Sequence, residues 1–299
     1  MANNTLLARV LLWRYKYISH KNFVFLLSML IGLLAGLVSV TIKNITYSIE
    51  WLLEQSIILS KEYLYFILPT IGLFLVYLFV RFVSKKPIEH AIPSILFSLS
   101  KKSGLLNRNK IYYPLITAPL TVGFGGSVGL LGPAIASASA ISSNIGQMFH
   151  IDRKTRTLLI GCAAAGAIAS IFKSPIAAII FAIEVFSLDL TFASLLPLLI
   201  ATVSSVLTSY FFVGDDTIFN FSISDKFAIN DTLFYIILGI GTGIASIYFS
   251  KIYFAINTFF NRFNTRRKKL LFGGLIIGVM LYFIPPLYGE GFGFINDLM

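Results

Sequence analysis

Reactive and charged side chains are scarce in this chain. Its 299 residues hold one cysteine, three histidines and only 12% charged residues. A lone cysteine, Cys162, excludes a disulfide within the chain, and in an apolar stretch a single thiol most often just packs. His20, His90 and His150 are too scattered in sequence to suggest a metal site. No Ser/His/Asp set, metal cluster or phosphate loop appears at usable spacing, so nothing points to an enzyme or to a cofactor. A secretory signal is not persuasive either. The apolar run 23–40 is long for such a signal and follows a stretch carrying Arg9, Arg14, Lys16 and Lys21. It reads as a first membrane helix that stays in place.

Apolar residues fill the space. They make up 57% of the chain, with a mean hydropathy of +0.83, and runs of roughly 20 of them recur along it. This describes an integral membrane protein. The formal charge of +11 is then no sign of a nucleic-acid partner, and its placement matters more than its size. Crossings are expected at 22–45 (extending toward 54), 63–80, 192–213 and 233–260, with 270–284 starting back. The loops between them alternate in charge. Arg81–Lys86, Arg153–Arg156 and Arg262–Lys269 are basic, whereas Glu50–Glu62 is acidic and 215–231 carries a net −3. The positive-inside rule puts the basic loops and the N-terminus in the cytoplasm and the acidic loops outside. Residues 1–21, an amphipathic helix with two arginines and a lysine in its apolar stretch, are expected to lie on the inner surface.

Other segments are too short to cross. Pro87-Ile88-Glu89-His90-Ala91-Ile92-Pro93-Ser94 opens an apolar segment that ends near Leu99. Segments 157–172 and 176–188, joined by Lys173-Ser174-Pro175, read as one broken or re-entrant unit. Helices that break at membrane depth mark substrate and ion sites in transporters.

The most telling stretch is 123–147. It packs Gly123, Gly125, Gly126, Gly129 and Gly132 into ten residues, then places Pro133 at the start of a small-residue helix. A helix from there to about Phe149 would be about 24 Å long, short of a crossing. Proline suits a first helical turn, and the preceding glycines leave amides uncovered. A partially positive helix start inside a membrane suits an anion, so the stretch reads as an anion site. Close helix packing is the plainer account of 134–143, but it leaves five clustered glycines unexplained.

The run Gly125-x-Ser127-x-Gly129-x-x-Gly132-Pro133, continuing to Gly146-Gln147, resembles the signature of the CLC family of chloride channels and proton-coupled chloride transporters. That signature reads G-x-S-x-G-R-E-G-P; here Leu130 and Leu131 stand at its Arg and Glu. An earlier family motif, G-S-G-I-P, is matched by Glu89-His90-Ala91-Ile92-Pro93, with His90 at the serine. A third is matched by Ala169, Phe172, Pro175, Ala177, Phe181 and Glu184. Proton-coupled members carry a second glutamate after the last of these, where this chain has Val185. The turn Tyr288-Gly289-Glu290-Gly291-Phe292-Gly293 looks like the family's glycine-rich turn after a late crossing. The chain stops at Met299, ahead of the family's G-x-F-x-P motif and site tyrosine, and reads as a fragment or a truncated frame.

The resemblance implies an all-α membrane protein of tilted and broken helices, multi-pass in the cell membrane. Residues 22–213 would be the first half of an inverted repeat and 229–299 the start of the second. It implies transport of chloride or a similar small anion, a lipid bilayer around the chain, and a homodimer. The anion-binding positions would be His90, Ala91, Ile92, Pro93, Gly129, Leu130, Leu131, Gly132 and Pro133. Leu131 is the gate position and Val185 the lost inner proton station. Neither carries a proton, so passive, channel-like movement is expected. The alternatives are a non-conducting incomplete subunit and a proton-coupled antiporter.

Overall fold

The computed structural model describes residues 18–55, 66–85, 91–189, 191–214, 229–263 and 265–298. Among these the chain is helical without a β-strand. We number the helices α1 His20–Gln55, α2 Leu68–Phe79, α3 Ala91–Lys101, α4 Asn109–Gly123, α5 Leu131–Met148 and α6 Arg153–Phe172. They continue as α7 Pro175–Phe186, α8 Phe192–Val213, α9 Thr232–Asn261, α10 Arg266–Phe283 and α11 Phe292–Leu298. A π-helical turn, Val80–Ser84, extends α2. Of these, α1, α6, α8 and α9 are long and apolar enough to cross a membrane. The amphipathic segment expected at 1–21 lies outside the described residues up to 17, as does most of the acidic loop 215–231.

The centre is a seam of three helices running the same way. Ser28 Oγ lies 3.9 Å from Cys162 Sγ, and Ser39 Oγ donates to the Ala167 carbonyl at 3.2 Å, so α1 runs parallel to α6. Ser205 and Ser209 donate to the carbonyls of Gly166 and Ser170 at 2.7 and 3.0 Å, which aligns α8 with α6. Small residues allow this closeness. A Cβ on Gly32 would lie 2.2 Å from the Ala201 carbonyl oxygen, and one on Gly36 would lie 2.7 Å from Thr208 Cβ. Lipid tails are as apolar as leucine, so helices in a bilayer associate through such backbone approach and through hydroxyl bonds. Gly274 and Gly278 do the same for α10 on α2, where added Cβ atoms would fall 2.5 Å from Thr70 Oγ1 and 2.1 Å from the Phe66 carbonyl oxygen.

One segment departs from the sequence expectation. The stretch expected as a short half-helix from 157 is α6, which starts at Arg153 and has the length of a crossing. Asp152 caps it, its carboxylate accepting the Thr155 N–H at 3.0 Å. The cations of its first turn are drawn to carbonyls at the end of the α3 segment: Arg153 donates to Leu99 at 3.2 Å and Arg156 to Ser103 at 3.2 Å. Charges that read as a loop are therefore the first turn of a buried helix. The partner segment, α7, is short as expected. Similarly, the helix at the expected second crossing begins at Leu68, later than 63, and even with its π-helical turn it is shorter than a crossing, while α5 begins two residues before Pro133.

The remaining helices position the glycine stretch. Gly123 at the end of α4 faces Ile49 and Thr46 of α1, while Phe149 after α5 meets Phe23 of α1 edge-on at 5.6 Å. So α4 climbs alongside α1, the glycines turn the chain, and α5 descends against it.

Candidate functional site

Between α4 and α5 the chain makes a sequence of tight turns. Gly125 N–H bonds the Val122 carbonyl at 2.7 Å, Gly126 N–H the Thr121 carbonyl at 2.8 Å, and Val128 N–H the Gly126 carbonyl at 2.9 Å. Gly125 has φ +89° and sits so close to the Tyr288 ring that a Cβ there would come within 2.6 Å of it. Both facts require glycine. Ser127, Val128 and Gly129 are exposed, whereas Leu130 is buried.

The start of α5 has no side-chain cap, and the first intrahelical closure is the Ala134 N–H to the Leu130 carbonyl at 3.1 Å. Among the described residues the N–H groups of Leu131 and Gly132 meet no acceptor, and Pro133 has none to offer. The start of α3 comes to this same place: a Cβ on Gly132 would touch Ala91 Cβ at 3.6 Å. The two short helices named by Ile92-Pro93 and Gly132-Pro133 therefore meet end to end, with Ala91, Ile92, Leu131, Gly132 and Pro133 half-buried or nearly so. Two helix starts side by side concentrate positive potential. His90 lies outside the described residues. Val185 sits on α7, partly buried against the core, and Glu184 beside it is exposed.

The site also contains a residue that sequence reasoning passed over. Glu290 reaches back across the fold, and its carboxylate oxygen accepts the Leu130 N–H at 2.8 Å. The same oxygen is 4.0 Å from the place of a Cβ on Gly129. The turn that carries it is built for that reach. Tyr288 Oη donates to the Gly123 carbonyl at 2.9 Å, and Gly289 and Gly291 on either side have φ +68° and +73°. Burial pushes the Glu290 carboxyl above the usual carboxylate range, against the pull of the Leu130 N–H and of Lys43. The only hint in sequence was an acidic residue between two glycines.

Two groups of basic residues lie at the opposite end from this turn. Arg81, Lys85, Arg266 and Lys269 line one recess, where the end of α2 meets the start of α10. His20, Lys21, Arg153 and Lys154 line another, with Asp189 paired to Lys154 at 3.7 Å. Both lie on the side where α1 begins.

Residues 71–299 match the family model described as voltage gated chloride channel. An uncharacterized protein of Methanocaldococcus jannaschii is 28% identical over 285 residues, which is 95% of this chain and 68% of that one. An H(+)/Cl(-) exchange transporter ClcA of Vibrio cholerae is 24% identical over 289 residues, 92% of this chain and 62% of its own. Among solved structures, a slow cyanobacterial Cl-/H+ antiporter shares the fold at a TM-score of 0.76 and 20% identity, over 90% of this chain and 66% of that one. The chain thus spans about two thirds of the length of these relatives.

Proposed function

This chain belongs to the voltage gated chloride channel family, and we propose from that membership that it builds part of a transmembrane path for a small anion, chloride first. The observation that carries the reading is the meeting of α3 and α5 at their N-terminal ends, with the Leu131 and Gly132 amides lacking acceptors among the described residues. Amides fixed at a helix start replace the water around an anion without having to be reoriented, which is how a membrane site offsets the loss of hydration. Ala91, Ile92, Pro93, Gly129, Leu130, Leu131, Gly132 and Pro133 would surround the ion, and the residue that precedes Ala91 in sequence, His90, is a further expected ligand.

In this reading transport is passive. Coupling to protons requires a titratable group in the path together with a route to it from inside; Leu131 holds no proton at the family's gate position, and Val185 leaves the inner route without one. The relative in Vibrio cholerae is named an exchanger; the side chains at these two positions favour the uncoupled mode here. The gathering of Arg81, Arg153 and Arg266 on the side where α1 begins favours a cytoplasmic N-terminus. Residues 22–213 and 229–299 would be one full half and the start of a second half of an inverted repeat, and two copies would pair.

The test is flux from proteoliposomes holding this chain under a chloride gradient, read with chloride and pH electrodes together. Chloride efflux without uphill proton movement is expected, with nitrate and fluoride as comparison anions. Proton uptake driven by the chloride gradient would overturn the passive mode, and absence of both flux and chloride binding would overturn the anion site.

A further inference from the structure

The start of α5 is not vacant along its whole length. The Leu130 N–H, the one next to the acceptor-free amides of Leu131 and Gly132, is taken by a carboxylate from 160 residues further along the chain. An anion lying across these amides would have to share that donor with Glu290 or displace it. A carboxylate is itself an oxygen anion of comparable hydrogen-bonding appetite, so the two compete for the same positive potential.

The placement of Glu290 looks built. Tyr288 is anchored to the end of α4, the flanking glycines adopt backbone angles that other residues resist, and a Cβ on Gly289 would press to within 3.3 Å of the Glu50 carboxylate. The charged groups facing Glu290 among the described residues are Lys43 and Glu50, both on α1, one attracting and one repelling it. Among the described residues its bond at the α5 start is to the Leu130 N–H alone, and its charged neighbours pull in opposite directions. Where the family resemblance expects a carboxylate, at Leu131, the chain has none; one arrives from another element.

We propose that Glu290 is the anion-competing gate of this path: its carboxylate occupies the start of α5 when no anion is there and swings away when one binds. This rests on the anion-site reading above. Protonation removes the competing charge, and because burial holds the carboxyl above the usual carboxylate range, that happens at milder acidity than for a free side chain. Acidification should therefore strengthen anion binding.

Equilibrium binding of chloride to the purified chain, measured by isothermal titration between pH 4.5 and 8, tests this directly. In wild type the affinity should rise as pH falls. Glu290→Gln, which keeps the shape and an acceptor for the Leu130 N–H, should bind chloride about tenfold more tightly at pH 7.5 and lose most of the pH dependence, since a charge-assisted bond no longer opposes the ion. Glu290→Ala should behave likewise, so either variant tests the gate if the other fails to fold. Chloride binding that is unchanged in the variants, or a pH dependence that persists in Glu290→Gln and so belongs to another group such as His90, overturns the gate but leaves the site. No chloride binding by wild type or variant at any pH overturns the site, and the gate with it.

Discussion

Replacing Gly32 by alanine should destabilise the fold, although the same change usually stabilises a helix. The added Cβ would sit 2.2 Å from the Ala201 carbonyl oxygen and 2.8 Å from Ala201 Cα. Ordinary contact is about 3.5 Å, so α1 and α8 must part locally by about 1 Å. Ser204 Oγ, also 2.2 Å away, can rotate aside, but a carbonyl locked in α8 cannot. Overpacking of this kind costs about 1–3 kcal/mol. Parting the helices also strains the Ser204 bond to the Met29 carbonyl, at 3.3 Å, and interhelical bonds in membranes average about 0.6 kcal/mol. Against this stands about 1 kcal/mol gained from alanine's higher helix propensity. The net is a loss of about 0.6–2.6 kcal/mol. Gly241→Ala is the matched control, because nothing lies within 4 Å of its Cβ position on α9. It should be neutral or slightly stabilising. The assay is reversible unfolding of the purified chain in mixed micelles by SDS titration. A Gly32→Ala chain as stable as wild type, or a Gly241→Ala chain that loses more than Gly32→Ala, would refute the idea that backbone contact between α1 and α8 holds the seam together.

Two further outcomes are expected. Cys162 is fully buried, so membrane-impermeant maleimide should leave the wild-type chain unlabelled until it is denatured. Against that silent background, Ile229→Cys should label from outside sealed cells and Thr265→Cys should not; the reverse would invert the proposed topology. Leu131→Glu should slow chloride flux by about tenfold, through a second carboxylate competing at the start of α5. It should leave proton movement uncoupled while Val185 stands at the inner position, and chloride-driven proton uptake by this variant would show that the inner position is dispensable.

The membrane character, most helix positions and the α5 start were legible in the chain itself. Apolar runs of crossing length, basic loops alternating with acidic ones, and glycines clustered before Pro133 are local signals. Each follows from what neighbouring residues can do in lipid or water without any distant contact. The short α3 and α7 were readable for the same reason, since an 11- or 12-residue apolar helix falls short of a bilayer by length alone. The α6 segment was misjudged because Arg153, Lys154 and Arg156 look like loop charges. Only the fold supplies the carbonyls of Leu99 and Ser103 that let two arginines begin a buried helix.

Other features belong to the tertiary structure alone. In sequence, Gly32 and Gly36 are two small residues in an apolar run; contact with Ala201, Ser205 and Thr208 makes them the places where α1 and α8 touch. Glu290 is a polar residue in a glycine turn until Tyr288 ties that turn to Gly123 and brings the carboxylate to Leu130. Hydropathy, charge and glycine spacing act over one or two turns of chain, so sequence reveals them. A hydrogen bond across 160 residues depends on how six or more helices stack between its ends, and no local pattern records that.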